Sequence, residues 1–200
     1  AGTVNQANSK DSTITGSLTN NGTWNLNALG SATSLNFNGG ITLSGTGEIV
    51  MSDNTQNRII TNSTLLTQAA SHTIRGAGQL LANTGGMINN GTIRQEGATA
   101  MTVDPNALGF TNQGTMQATG AGGFVFSPGV FTNTGQTIAV QHTSKLDLSD
   151  GVTVDGGTLQ TAGTGVINQL GVAGGAVLNN VTIAGTVNQA NSKDSTITGS

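Results

Sequence analysis

The 200-residue chain contains no cysteine, only two prolines and one tryptophan, and only 8% of its residues are charged. Without cysteine there is no disulfide and no thiolate metal site. The same absence suits a chain that crosses membranes unfolded, because it cannot misform disulfides there. The six lysines and arginines are scattered, so no basic patch is available to hold a phosphate backbone, and no nucleic-acid partner is expected. No apolar run approaches the ~20 residues that span a bilayer, so no membrane span is expected in this segment. There is no signal peptide and residue 1 is Ala, which reads as a mature piece or an excised fragment. Disordered chains are also short of aromatics, but they usually carry high net charge or much proline. Here the formal net charge is only −3.

What the chain has is glycine (31 residues), threonine, asparagine and serine, interrupted by short apolar bursts. The bursts alternate: Trp24/Leu26, Leu35/Phe37, Ile41/Leu43, Met101/Val103, Phe124/Phe126, Ile138/Val140, Leu146/Leu148 and Val152/Val154 are all spaced i, i+2. That is the period of a strand with one buried face. No helical spacing is sustained over three turns, and interior glycine costs a helix roughly 1 kcal/mol per position.

An imperfect phrase recurs as LTNNGTWNL from Leu18, ITNSTLL from Ile60, INNGTIRQ from Ile88, FTNQGTMQA from Phe110, FTNTGQTIA from Phe131 and LNNVTIAGT from Leu178. Ile88, Phe110 and Phe131 follow one another at nearly equal steps, and Leu18 to Ile60 reads as two such steps. A period of roughly 20 residues marks a solenoid. The expected fold is all-β: a right-handed parallel β-solenoid of triangular section, with about nine coils of ~20–22 residues. Asparagine tolerates the left-handed backbone of a corner and can hydrogen-bond main chain there. Asn20, Asn62, Asn90, Asn112, Asn133 and Asn180 are therefore expected to stack at one corner.

A longer repeat overlies the short one. AGTVNQANSKDSTITGS occupies Ala1–Ser17 and returns, without mismatch, at Ala184–Ser200. Residues 1–183 read as one complete solenoid module and 184–200 as the start of an identical one. Multiplying one module suits a stalk or fibre better than a specific receptor site.

The phrases INNGTIRQEG, FTNQGTMQATG and DGVTVDGGTLQTAGTG resemble the β-helical surface exoproteins of bacteria, namely autotransporter passengers and two-partner-secretion adhesins of the filamentous-haemagglutinin type. The resemblance implies an extracellular or cell-surface protein of a Gram-negative bacterium. It would serve as an adhesin stalk or biofilm-matrix fibre, with further copies of the module and cell-surface or matrix polysaccharide as partners. A subunit that self-assembles end to end, and a carbohydrate-binding or carbohydrate-cleaving β-helix, are the alternatives.

No cofactor, metal or catalytic residue is expected. Asp147, Asp150 and Asp155 form the densest acidic cluster but lack the ligand spacing of a calcium loop and read as solvated turns. His72 and His142 are distant in the chain, and neither has a partner at ligand spacing. Nine acids and six bases are spread too thinly for the cleft of a lyase or hydrolase. Asn21, Asn62, Asn90 and Asn180 match the glycosylation sequon, which here also follows from the corner phrase itself. The Thr13–Thr15 row is not continued in other coils, which argues against an ice-binding plane. Trp24 is expected in the core.

Overall fold

Each alternating burst forms a strand of two to six residues, and each Gly/Asn-rich stretch turns the chain toward the next face. In a computed structural model, which describes residues 1–170, 175–191 and 194–199, three such strands make one coil. The described strands fall into three parallel sheets of nine, and each strand between the first and last of its sheet pairs with its counterparts one coil below and one coil above. Sheet A runs from Thr3–Gln6 to Thr182–Ala184, sheet B from Asp11–Thr15 to Val187–Gln189, and sheet C from Leu18–Thr19 to Ser195–Thr198. The fold is a parallel β-solenoid.

The register lines the core with files of like side chains. In sheet A, Trp24, Ile49, Ile74, Ile93, Met116, Ile138 and Leu159 stack in succession. In sheet C the file is Ile41, Leu66, Met87, Phe110, Phe131, Val154 and Leu178. Sheet B contributes Leu35, Ile59, Leu80, Val103, Phe126 and Leu148. Every one of these is buried except Trp24, which is half-buried and donates its indole N–H to Gln6 Oε1 at 3.1 Å. Full burial of a large apolar side chain contributes roughly 1.5–3 kcal/mol, so the seam where the three files meet holds the rod together.

Coils differ in length more than the sequence spacing suggests. Thr73 pairs with Thr92 after a short coil, whereas the coils from Thr23 to its partner Glu48, and from Glu48 to Thr73, are both longer. The difference lies in the corners. The short coil turns from sheet A to sheet B through Gly76-Ala77-Gly78, with φ +110° and +134° at the two glycines. A Cβ on Gly76 would come within 1.8 Å of the Met51 carbonyl oxygen. Eight turns separate Val4 from its last counterpart in the sheet A file, Ile183. At about 4.8 Å per coil those turns advance the axis by roughly 38 Å.

Outward faces are filed as well. The strand-starting threonines Thr73, Thr92 and Thr115 stack on sheet A, with Thr23 two coils below Thr73 and Glu48 between them. Threonine begins each of these strands except Glu48–Met51. The phrases TIRG, TIRQ and TMQ conceal it, and their first letters align only once the register is known.

Candidate functional site

The corner between sheets C and A carries the clearest side-chain order. Asn89, Asn112 and Asn133 occupy one inward file, all buried. Asn89 Nδ2 donates to Asn112 Oδ1 at 2.8 Å, and Asn112 Nδ2 donates to Asn133 Oδ1 at 2.8 Å. Asn133 Nδ2 completes the run on the Gln136 carbonyl at 3.0 Å. Stacked amides of this kind tie each coil to the next, and the loops of their own coils supply the remaining bonds.

Of the asparagines expected to stack, Asn112 and Asn133 therefore belong to the ladder. Asn90 does not: its neighbour Asn89 holds that place, while Asn90 Nδ2 donates to the Gln68 carbonyl at 3.0 Å. Asn20 lies at the same corner, where its side chain accepts from Gly22 N at 3.0 Å and donates to the Glu48 carbonyl at 3.0 Å. The next coil offers Ser44-Gly45 there, so it has no amide to meet. Asn62 is on a different corner, between sheets B and C, with φ +42° and a contact to Asn38. Any corner needs residues that tolerate the left-handed region, so the phrase alone does not say which corner it makes. Asn180 is exposed at φ +53°, and Asn179 beside it makes the inter-coil contacts instead. Counting three positions back from the strand-starting threonine, rather than along the phrase, finds Asn89 from Thr92 and Asn112 from Thr115.

Three polar clusters lie on the outer faces. On sheet A, Arg75 is held between Glu48 (2.8 Å) and Glu96 (3.1 Å), and Glu96 also pairs with Arg94. The Arg75 guanidinium lowers the Glu48 carboxyl below its ordinary range. On sheet B, Asp147 accepts from Lys145 Nζ at 2.6 Å and from Asn168 Nδ2 at 2.7 Å. On sheet C, Asn179 donates to Asp155 at 2.8 Å and accepts from Thr198 Oγ1 at 2.8 Å. The acidic cluster is thus divided: Asp147 and Asp155 face outward from different sheets, and Asp150 sits in the turn between them. Sequence reasoning missed Asp53, whose carboxylate caps Thr99 N (2.7 Å) and Ala98 N (3.0 Å) and is lowered in pKa by those bonds. Asp53 reaches past the short coil to do so, and no local signal in the sequence marks such a pairing.

The two histidines are not brought together. His142 is exposed in a turn, whereas His72 is buried with Nε2 3.1 Å from Asn20 Nδ2. The amide donates, so Nε2 accepts and the neutral ring carries its proton on Nδ1. Burial pushes the His72 pKa down to about 4, against a smaller upward pull from Glu48. An unfolded histidine binds its proton near 6.5, so this contribution to stability is complete above that pH and is lost as pH falls toward 4. The expected loss is on the order of 3 kcal/mol. Denaturant melts at pH 7, 5.5 and 4.5 should show most of that slope, and His72→Gln should flatten it. An unchanged slope in the variant would assign the acid sensitivity elsewhere.

Among the sequon asparagines, Asn21, Asn62 and Asn180 are exposed and Asn90 is half-buried. A shallow polar groove of about 370 Å³ crosses sheet A between Gln117 and Gln160, floored by Ala139. Among the described residues no group of three His, Asp or Glu side chains is placed to hold a metal ion, and no helix is long and apolar enough to cross a membrane.

No protein-family model, curated protein or solved structure matches the chain. Its role is read from geometry.

Proposed function

We propose that this chain is a segment of a structural rod: an extracellular adhesin stalk or biofilm-matrix fibre built from tandem, near-identical β-solenoid modules. One observation carries the reading. The second copy of the repeated segment continues the sheets without a break, Val187–Gln189 pairing on Val166–Gln169 and Ser195–Thr198 on Ala176–Asn179. Its residues 192–193 and 200 lie outside the described residues. The repeated segment thus adds to the solenoid, which supports the reading that repetition of the module serves length. The absence of cysteine and the resemblance to Gram-negative surface exoproteins support a location outside the cell. The role is non-enzymatic and needs no cofactor. Its partners are further copies of the module and surface or matrix polysaccharide.

A second reading has a specific observation in its favour. The inward files continue on the same pattern through every described coil, so one coil offers the next the same apolar and main-chain surface. A coil of a neighbouring chain can pair on such a surface as well as a coil of the same chain. Electron microscopy of the native material, paired with the mass of the SDS-denatured chain, separates the two. Chains of several hundred kilodaltons forming rods with an axial repeat of roughly 40 Å are expected for the tandem rod. Filaments built from chains of 19.9 kDa, the mass of this segment alone, would make the joint an interface. Globular particles would overturn both readings.

A further inference from the structure

The two copies of the repeated segment do not occupy the same faces. In the first, Thr3–Gln6 is in sheet A and Asp11–Thr15 in sheet B. In the second, the equivalent residues Val187–Gln189 are in sheet B and Ser195–Thr198 in sheet C. Eight turns bring the sheet A file from Val4 to Ile183, and Val187, the true equivalent of Val4, lies four positions further, past a corner.

The segment tolerates this shift because its inward and outward sides are kept. Val4 and Gln6 stack on the inward file at Trp24 and Leu26, and Asn5 meets Asn25 outside at 2.8 Å. In the second copy Val187 and Gln189 stack on Ile167 and Gln169, and Asn188 meets Asn168 outside at 3.3 Å. Likewise Ile14 stacks on Phe37 and Ile197 on Leu178. The corner differs instead. Gly185 turns from sheet A to sheet B at φ +142°, where a Cβ would lie 2.0 Å from Thr161 Oγ1, whereas its equivalent Gly2 leads into sheet A without a left-handed φ.

Resting on the tandem reading above, we infer that each module advances the rod by eight turns plus one face. Successive modules are therefore rotated by a third of a revolution, in addition to any twist of the sheets themselves. The Glu48–Arg75–Glu96 cluster of sheet A recurs on the line of sheet B in the next module and of sheet C in the one after. A partner that recognises one face then meets it on all sides of the rod within three modules. Such a rod cross-links neighbours in every direction, rather than lying along one surface by a single sticky side.

The chain as it stands tests the phase. With no native cysteine, the pair Asn168→Cys/Asn188→Cys places two thiols on directly paired outward positions, within the reach of a disulfide. The pair Gln160→Cys/Asn188→Cys places them where the second copy would stack if it repeated the faces of the first. Mild oxidation is expected to consume both thiols of the first pair and to leave those of the second free. The reverse result, or failure of both pairs, would overturn the inference. Gly185→Ala is expected to speed amide hydrogen exchange at 187–189 several-fold, whereas an unchanged rate would count against the shift. These readouts concern register alone. A protein that passes them yet forms no rods would defeat the tandem reading and leave the phase standing.

Discussion

Replacing Asn112 by alanine is expected to destabilise the rod by about 4 kcal/mol, since each buried polar group left unmet costs about 1–3 kcal/mol. The substitution removes the acceptor of Asn89 Nδ2 and the donor to Asn133 Oδ1 together. Both neighbours are buried, and water cannot substitute without opening the corner. The ladder is a coupled unit, so its parts should not add. The same file holds Leu43 two coils below Asn89, which demonstrates that the corner accepts an aliphatic side chain. The triple variant Asn89→Leu/Asn112→Leu/Asn133→Leu should therefore cost less than the sum of its single substitutions. Urea melts of the four variants measure this. Strict additivity would mean that the amides act independently, and that the corner is held by its main-chain bonds.

Phe126→Ala is the second large effect, at about 3–5 kcal/mol for a buried aromatic truncated in a packed core. Phe126 is the meeting point of sheets B and C. Its ring stacks on Phe131 with centroids 4.1 Å apart and planes 1° from parallel, and Phe124 lies 6.2 Å away. Phe110 extends the cluster, 5.9 Å from Phe131. In a stack of coils, stability is a sum of nearest-neighbour terms. The cavity should therefore uncouple the coils below from those above, and not merely lower one melting point. Hydrogen exchange is expected to rise first in the strands Met101–Val103 and Lys145–Leu148 that flank it. Uniform loss of protection along the whole chain would show that the rod unfolds as one unit.

The fold was legible because a solenoid writes its structure locally. Alternation at Leu35/Phe37 or Phe124/Phe126 names the buried face, and the regular return of the corner phrase names the pairing partner. Absolute phase was harder to see. Ile60 begins a corner phrase like the others, yet it turns from sheet B to sheet C, because left-handed residues serve any corner equally. Coil length, short from Thr73 to Thr92 and long from Glu48 to Thr73, depends on loops whose size no periodicity constrains. Ladder membership turned on a single position, Asn89 against Asn90, since both are asparagines and only the register to Asn112 separates them. The contacts of Arg75 with Glu48 and of Asp53 with Thr99 join residues a coil or more apart. They become visible only once the coils are stacked.

The strand pairing that runs along the axis also sets how the rod answers a pull. Tension applied at its two ends falls on the bonds between one coil and the next, and those bonds can open a rung at a time from either end. Eight turns take the chain from Val4 to Ile183. A coil that peels away therefore releases about 22 residues of chain, the length of one solenoid repeat. At about 3.4 Å per residue, that length extends to roughly 75 Å, against the ~4.8 Å it occupied when stacked. If the proposed stalk role holds, a load carried by such a thread is taken up over a long distance before any single joint bears it in full.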